Sequence, residues 1–545
     1  MILKSNYLTE VKKLLIFIWL YIVASIPSFI AFIIYSNLNW LVCLNFTESV
    51  LFSLIIIVLI SCFKSSRFKQ FIYYFLFSFF VFCNYVEAVY FVIYGTYFSP
   101  SSLFLFFDSN PQEAIEFLTF YFTPPLLIFT SITLVVFFVC IRKLYLMRRQ
   151  LPTFRGRYLI YNFILILMIL GFMRISKIID YNFPYLFGRS FVIYENQLDQ
   201  FEVYKNNKNG NFINIKKPDT NDKELFVLVL GESTTKSHLG IYGYDRQTTP
   251  QLLLKKDELI LYQDVISPHT YSIGAVVKLL TLANYEDPKP TNKGSIIQLA
   301  NSVGFETHWL SNQRPIGSGN NLITRLSASV DHCKFLTSVI ERNSTTLDES
   351  LLKDLNLVLE ESKSEKIFIV LHLIGTHHNY QERYPASFNV FNGDVDSNFK
   401  SKESINKINH YDNAVLYNDF VVNSIIDMVK STNTNSFILY LSDHGEELYK
   451  DRNMAGHNQD NPTQSMYEVP FLLWQSPKYK NHRSIDIDAN RRYMTDDLFH
   501  SLADLMGVQS DCVNYQRSIF SNNFEERTRI ILDSVDYDTS FKSIE

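Results

Sequence analysis

Hydrophobic positions along this chain fall into two regimes. Up to about residue 176 they form long, nearly unbroken apolar runs; beyond it, short apolar runs alternate with mixed polar stretches. Five of the long runs are candidates to cross a bilayer, which takes ~20 apolar residues of helix. They are Leu14–Tyr35, Trp40–Cys62, Phe71–Tyr94, Phe117–Ile141 and Leu159–Met173, the last being the shortest. Lys12 and Lys13 precede the first run, as in a signal peptide, but no small-residue cleavage site follows and four more runs do.

The short runs of the second regime have the length and β-branched content of buried strands. Leu225–Leu230, Thr307–Ser311, Ile367–Ile374, Phe437–Leu441 and Val469–Trp474 read as strands. Gly274–Leu282, Ser295–Val303, Thr345–Glu361 and Ala414–Ser431 read as helices. Such alternation predicts a mostly parallel sheet with helices on both faces. Three parts follow: a helical membrane domain over 1–176, a connector over 177–217, and an α/β domain over 218–545. The connector contains an aromatic stretch, Tyr181–Tyr194, suited to lying on a membrane surface.

Charge sets the expected orientation. Lys4, Lys12 and Lys13 precede the first span; Lys64, Arg67 and Lys69 separate the second and third. Arg142, Lys143, Arg148, Arg149, Arg155 and Arg157 separate the fourth and fifth, while the other two loops carry no Lys or Arg. Positive charge stays inside, so the N-terminus is expected in the cytoplasm. An odd number of spans then exports the α/β domain. The net charge of −4 over 545 residues gives no reason to expect a nucleic-acid partner. Of six cysteines, only Cys333 and Cys512 fall in the exported part, which allows at most one disulfide there.

Candidate chemistry sits where three strands end. Glu232 follows the first; Gly375, Thr376, His377 and His378 follow the second; Asp443, His444 and Gly445 follow the third. Ligands of open α/β sheets collect at the carboxyl ends of parallel strands. Carboxylate and imidazole donors converging there suit zinc. Taken alone, Glu232 reads equally as an acidic residue at a helix start. His377 and His378 would point to opposite sides on an extended strand, leaving His377 to face the site. His457 lies in a loop able to fold back. The hydroxyl-rich stretch Ser267–Ser272 leads into a helix, so Thr270 or Ser272 is either a simple N-cap or a metal-activated nucleophile.

Several motifs stand in the order found in lipopolysaccharide phosphoethanolamine transferases. They are Gly231-Glu232-Ser233, Gly243-Tyr244-Asp245-Arg246 with Thr249-Pro250, Gly375-Thr376-His377, Arg383-Tyr384-Pro385, Tyr411-Asp412-Asn413-Ala414 and Ser442-Asp443-His444-Gly445-Glu446. The chain resembles that family, of the alkaline phosphatase/sulfatase superfamily, over nearly its whole length. Pro268-His269-Thr270 leading to Leu280-Thr281 looks like the branch that modifies core heptose; other members modify lipid A and confer polymyxin resistance. The resemblance implies an inner-membrane enzyme with five spans and a periplasmic zinc domain. It implies phosphatidylethanolamine as donor and lipopolysaccharide as acceptor. Glu232, Thr270, Asp443 and His444 would hold one catalytic zinc, with Thr270 as nucleophile. His377 and His457 would bind the phosphoryl group or a second zinc, and Ser109 and Glu113 the ethanolamine head. A monomer is the expected state. The alternatives are a glycerol-phosphate transferase of the same superfamily and a membrane scaffold on a decayed enzyme. The second is disfavoured because every expected ligand is present. A sulfatase is disfavoured because no C/S-x-P-x-R sequence lies near Thr270.

Overall fold

The computed structural model describes residues 2–36, 38–64, 67–98, 103, 115–116, 119–121, 123–287, 294–313, 322–336 and 346–541. The chain divides into two compact units, 1–107 with 121–194, and 108–120 with 195–545.

The first unit holds helices α1 (Ile2–Ser36), α2 (Trp40–Ser61), α3 (Arg67–Tyr94), α4 (Pro124–Met147) and α5 (Arg157–Ile175). All five are long and apolar enough to span a membrane. The inner faces of α1 to α4 meet around Phe17, Tyr21, Ile57, Tyr73, Phe77, Phe80 and Leu144, and α5 packs on α2 through Ile169 and Met173. Their outer faces remain apolar: Trp19, Phe75, Phe138, Val139 and Phe163 are exposed. Only a bilayer covers such a surface without a penalty, and helices satisfy every backbone group within it. The fourth span starts later than the hydropathy pattern suggested. Pro124 and Pro125 open its first turn, where a missing N–H costs nothing. After α5, Asn182 Nδ2 donates to Glu48 Oε1 at 2.6 Å, fixing the chain to α2 before α6 (Phe183–Asn206) begins.

The second unit is built on a seven-stranded sheet. Its strands are β1 (Glu224–Gly231), β2 (Leu259–Leu261), β3 (Glu306–Ser311), β4 (His332–Phe335), β5 (Lys366–His372), β6 (Asn435–Ser442) and β7 (Phe471–Gln475). Their order is β2-β7-β6-β1-β5-β3-β4. The ladders β6-β1-β5-β3-β4 are parallel, whereas β7 runs antiparallel to β6 and β2 antiparallel to β7. Every residue of β1 and β6 is buried, which explains their unbroken apolar sequences. Helices packed around this sheet include α7 (Ser272–Leu280), α8 (Ser350–Glu361), α9 (Lys402–Ser431) and α10 (Leu498–Leu505). Helix α9 begins twelve residues before the expected start at Ala414, at a Ser401–Ser404 capping box. Cys333 and Cys512 form no disulfide.

Candidate active site

Register alone aligns the three strand ends. In the ladders, Gly231 pairs with Ser442 and Leu230 with His372, so Glu232 and Asp443 emerge side by side. The loop after β5 closes against them. Leu373 N–H donates to Leu230 O at 2.9 Å and Thr376 N–H to Glu232 O at 3.0 Å. Asp348 holds this loop from behind, accepting from the N–H groups of Ile374 and Gly375, both at 2.9 Å. Gly375 is required: its φ is +52°, and a Cβ there would lie 2.7 Å from Glu232 O. Gly445 serves by close approach, since a Cβ would meet Ser465 O at 2.1 Å.

Glu232, Asp443 and His444 are fully buried and present ligand atoms within 4.8 Å of one another. His444 Nε2 lies 3.3 Å from Glu232 Oε1 and 3.5 Å from Asp443 Oδ2. His444 Nδ1 bonds Gly445 O at 2.8 Å, so Nδ1 carries the proton and Nε2 is the atom turned to the carboxylates. Asp443 Oδ1 accepts from the N–H groups of Ser233 at 3.1 Å and His444 at 2.7 Å. Its Oδ2 is buried with no hydrogen-bond partner. An open carboxylate oxygen between a second carboxylate and an imidazole is costly unless a cation completes it. The donor set therefore fits a zinc-class ion.

The electrostatics agree. Burial, then the Glu232 charge, pushes Asp443 up to about 7. Burial opposes the charged form of His444, but Asp443 and Glu232 outweigh it and raise the imidazole to about 10. Burial also works against charge on Glu232, yet the His444 bond and charge, with His377 and Gln313, hold it well below the usual carboxylate range.

Two hydroxyls stand at the start of α7. Thr270 is buried, and its N–H and Oγ1 both bond Gln459 Oε1, at 2.9 and 3.2 Å. Ser272 Oγ touches the triad directly, 3.1 and 3.0 Å from the Glu232 oxygens and 3.3 Å from His444 Nε2. The sequence marks both hydroxyls without ranking their distances. The His457 ring lies tilted against that of His444, with ring centroids 4.2 Å apart. Its Nδ1 is held by Glu446 Oε2 at 2.8 Å, and Tyr380 OH fixes Glu446 from the other side at 2.6 Å. His377 and His378 do not sit on a strand, because β5 ends at His372. They follow a turn at Gly375, and their rings lie together at 3.9 Å instead of pointing apart. Ser109 and Glu113 lie outside the described residues.

Sequence reasoning missed the supporting residues. Gln313 Nε2 donates to Glu232 Oε2 at 2.9 Å. Tyr411 OH accepts from Thr235 N–H at 2.8 Å and donates to Ser233 O at 2.9 Å, pinning the turn after β1. Arg383 pairs with Glu116 and donates to the carbonyls of His377 and His378. Their signal was present only as motif members, Tyr411 and Arg383, with no role attached.

Comparison with known proteins completes the picture. A family model described as Sulfatase matches residues 224–508. Over 485 residues the chain is 33% identical to phosphoethanolamine transferase EptC of Escherichia coli strain K12, covering 83% of each. This chain belongs to the phosphoethanolamine transferase family. It is also 32% identical over 487 residues to phosphoethanolamine transferase CptA of Salmonella typhimurium strain LT2, again over 83% of each. The C-terminal periplasmic domain of E. coli EptC, solved in complex with Zn, superposes with a TM-score of 0.58 at 35% identity, covering 60% of this chain and 96% of that one. The integral membrane protein EptA of Neisseria meningitidis gives a TM-score of 0.67 at 19% identity, over 92% of this chain and 97% of that one. The membrane bundle and the sulfatase-like unit thus share one known fold.

Proposed function

We propose that this protein transfers phosphoethanolamine from phosphatidylethanolamine to lipopolysaccharide, with core heptose as the favoured acceptor and lipid A as the other. It sits in the bacterial inner membrane, N-terminus in the cytoplasm and catalytic unit in the periplasm, a side supported by the Lys/Arg-rich loops. The observation that carries the reading is the buried Glu232–Asp443–His444 cluster with its open carboxylate oxygen, beside the hydroxyls of α7, in a family member.

Glu232, Thr270, Asp443 and His444 would hold a zinc, which would supply positive charge to lower a hydroxyl pKa and offset phosphoryl charge. Thr270 Oγ1 bonds to phosphorus while the bond from phosphorus to the diacylglycerol oxygen breaks. The threonine proton is passed on and diacylglycerol leaves protonated. An acceptor hydroxyl then bonds to the same phosphorus, and Thr270 leaves and regains its proton. His377 and His457 bind the phosphoryl oxygens or a second ion, and the Glu446 bond orients His457 for either task. The chain's contribution is positioning and charge.

Thr270→Ala should abolish transfer while the unfolding temperature stays near wild type. Mass spectrometry of enzyme quenched with donor alone should find phosphoethanolamine on Thr270. An adduct on Ser272 would move the nucleophile there. Full transfer with both hydroxyls removed would end the covalent reading.

A further inference from the structure

A second cluster of metal-binding side chains lies at the opposite ends of the strands from the active site. Glu306 and His308 are two apart on β3 and so share one face of the sheet. His332, the first residue of the edge strand β4, is the register partner of His308. The three present ligand atoms within 4.8 Å of one another. Glu306 Oε1 is 2.7 Å from His308 Nε2 and 3.7 Å from His332 Nε2, and the two imidazoles stack at 4.7 Å. Ser362 Oγ donates to Glu306 Oε2 at 3.0 Å, which fixes the carboxylate and leaves Oε1 for the histidines. His308 is buried, whereas His332 is exposed and gives the cluster an open side.

We propose that Glu306, His308 and His332 form a second, structural site for a zinc-class divalent ion, separate from the catalytic cluster. Tetrahedral zinc with ligands ~2.1 Å away sets them roughly 3.4 Å apart. The separations of 2.7 and 3.7 Å bracket that spacing, so small side-chain adjustments suffice. Two imidazoles and one carboxylate favour zinc, copper or nickel over calcium or magnesium. Water completes the shell on the open side. The consequence is mechanical. β4 is a short edge strand whose one ladder among the described residues is with β3, and a metal joining His332 to Glu306 and His308 clips that edge. No disulfide among the described residues does this work, since Cys333, next in the strand, is free.

The test uses the full-length protein in detergent, stripped of metal, reloaded with Zn2+ and washed. Wild type should retain one more zinc per chain than His332→Ala. Added zinc should raise its unfolding temperature several degrees further than it raises that of the variant. His332 is exposed, so its replacement leaves the fold intact; Glu306→Gln provides a second variant that keeps the side-chain shape. Because the reading is a difference between proteins with the same catalytic cluster, ions bound there cancel. Equal zinc content in wild type and both variants would overturn the proposal. So would an equal stabilisation by Ca2+, which would reduce the cluster to a site of charge relief.

Discussion

Asp443 and Gly375 show how much of the site rests on single atoms. Asp443 uses one carboxylate oxygen to hold the backbone of Ser233 and His444 and leaves the other open. Asp443→Asn retains the shape and the first oxygen but removes the charge. It should lose most bound zinc and at least 100-fold in transfer, the scale expected when a charge-stabilising group is lost from an active site. Metal analysis with a kinetic assay decides; undiminished zinc would exclude Asp443 as a ligand. Gly375 acts without any functional group. At φ +52° and with a Cβ 2.7 Å from Glu232 O, Gly375→Ala should cost about 1–3 kcal/mol and displace Glu232. Thermal unfolding and zinc content should fall together, and a variant equal to wild type in both would show that the loop yields freely.

Among the elements, α10 carries a pH dependence of its own. Burial pushes His500 down to about 4, and its Nδ1 accepts the Asn514 N–H at 3.2 Å, a role open only to neutral imidazole. A folded pKa below the unfolded ~6.5 means a contribution present in full above pH 6.5 and lost as pH falls toward 4. The shift corresponds to roughly 3 kcal/mol. Urea unfolding at pH 7 and pH 4.5 should show a smaller acid loss for His500→Gln; equal pH slopes would assign acid sensitivity elsewhere. Which elements could be read from sequence follows the same physics. β1, β5 and β6 were legible because burial on both faces leaves a continuous apolar run in each, Leu225–Leu230, Ile367–Leu371 and Phe437–Leu441. The first half of α9 was not, because Lys402–Asn413 is polar and its helical signal lies in the Ser401 cap. β4 was missed because four residues, His332–Phe335, are too few for a pattern to stand out, and three of them are exposed at the sheet edge. Glu232, Asp443 and His444 were legible as strand-end residues. The separate contacts of Thr270 and Ser272, and the paired rings of His377 and His378, depend on a helix start and a turn that spacing does not encode.

At the scale of the whole molecule, the soluble unit is made from two pieces of chain. Residues 108–120 come from between the third and fourth spans yet belong to it. Glu116 of that piece pairs with Arg383, and Phe120 packs edge-on against Tyr380 with ring centroids 5.3 Å apart. Glu116, His377 and His378 also bring ligand atoms within 4.8 Å of one another, so Glu116 is held beside the histidines of the site. Glu113, three residues away in sequence, is our candidate for the ethanolamine ammonium. A carboxylate attracts an ammonium weakly in water and far more strongly where lipid and protein exclude it. Glu113→Ala should therefore raise the apparent KM for short-chain phosphatidylethanolamine at least tenfold, while hydrolysis of a small soluble phosphoester changes little. Glu116→Gln removes the charge opposite buried Arg383, which destabilises the anchor itself. It should depress both reactions and lower the unfolding temperature. The two variants thus separate recognition of the head group from anchoring of the segment. If Glu113→Ala leaves both kinetic constants for the lipid unchanged, this segment serves only as support, and the ammonium is recognised elsewhere.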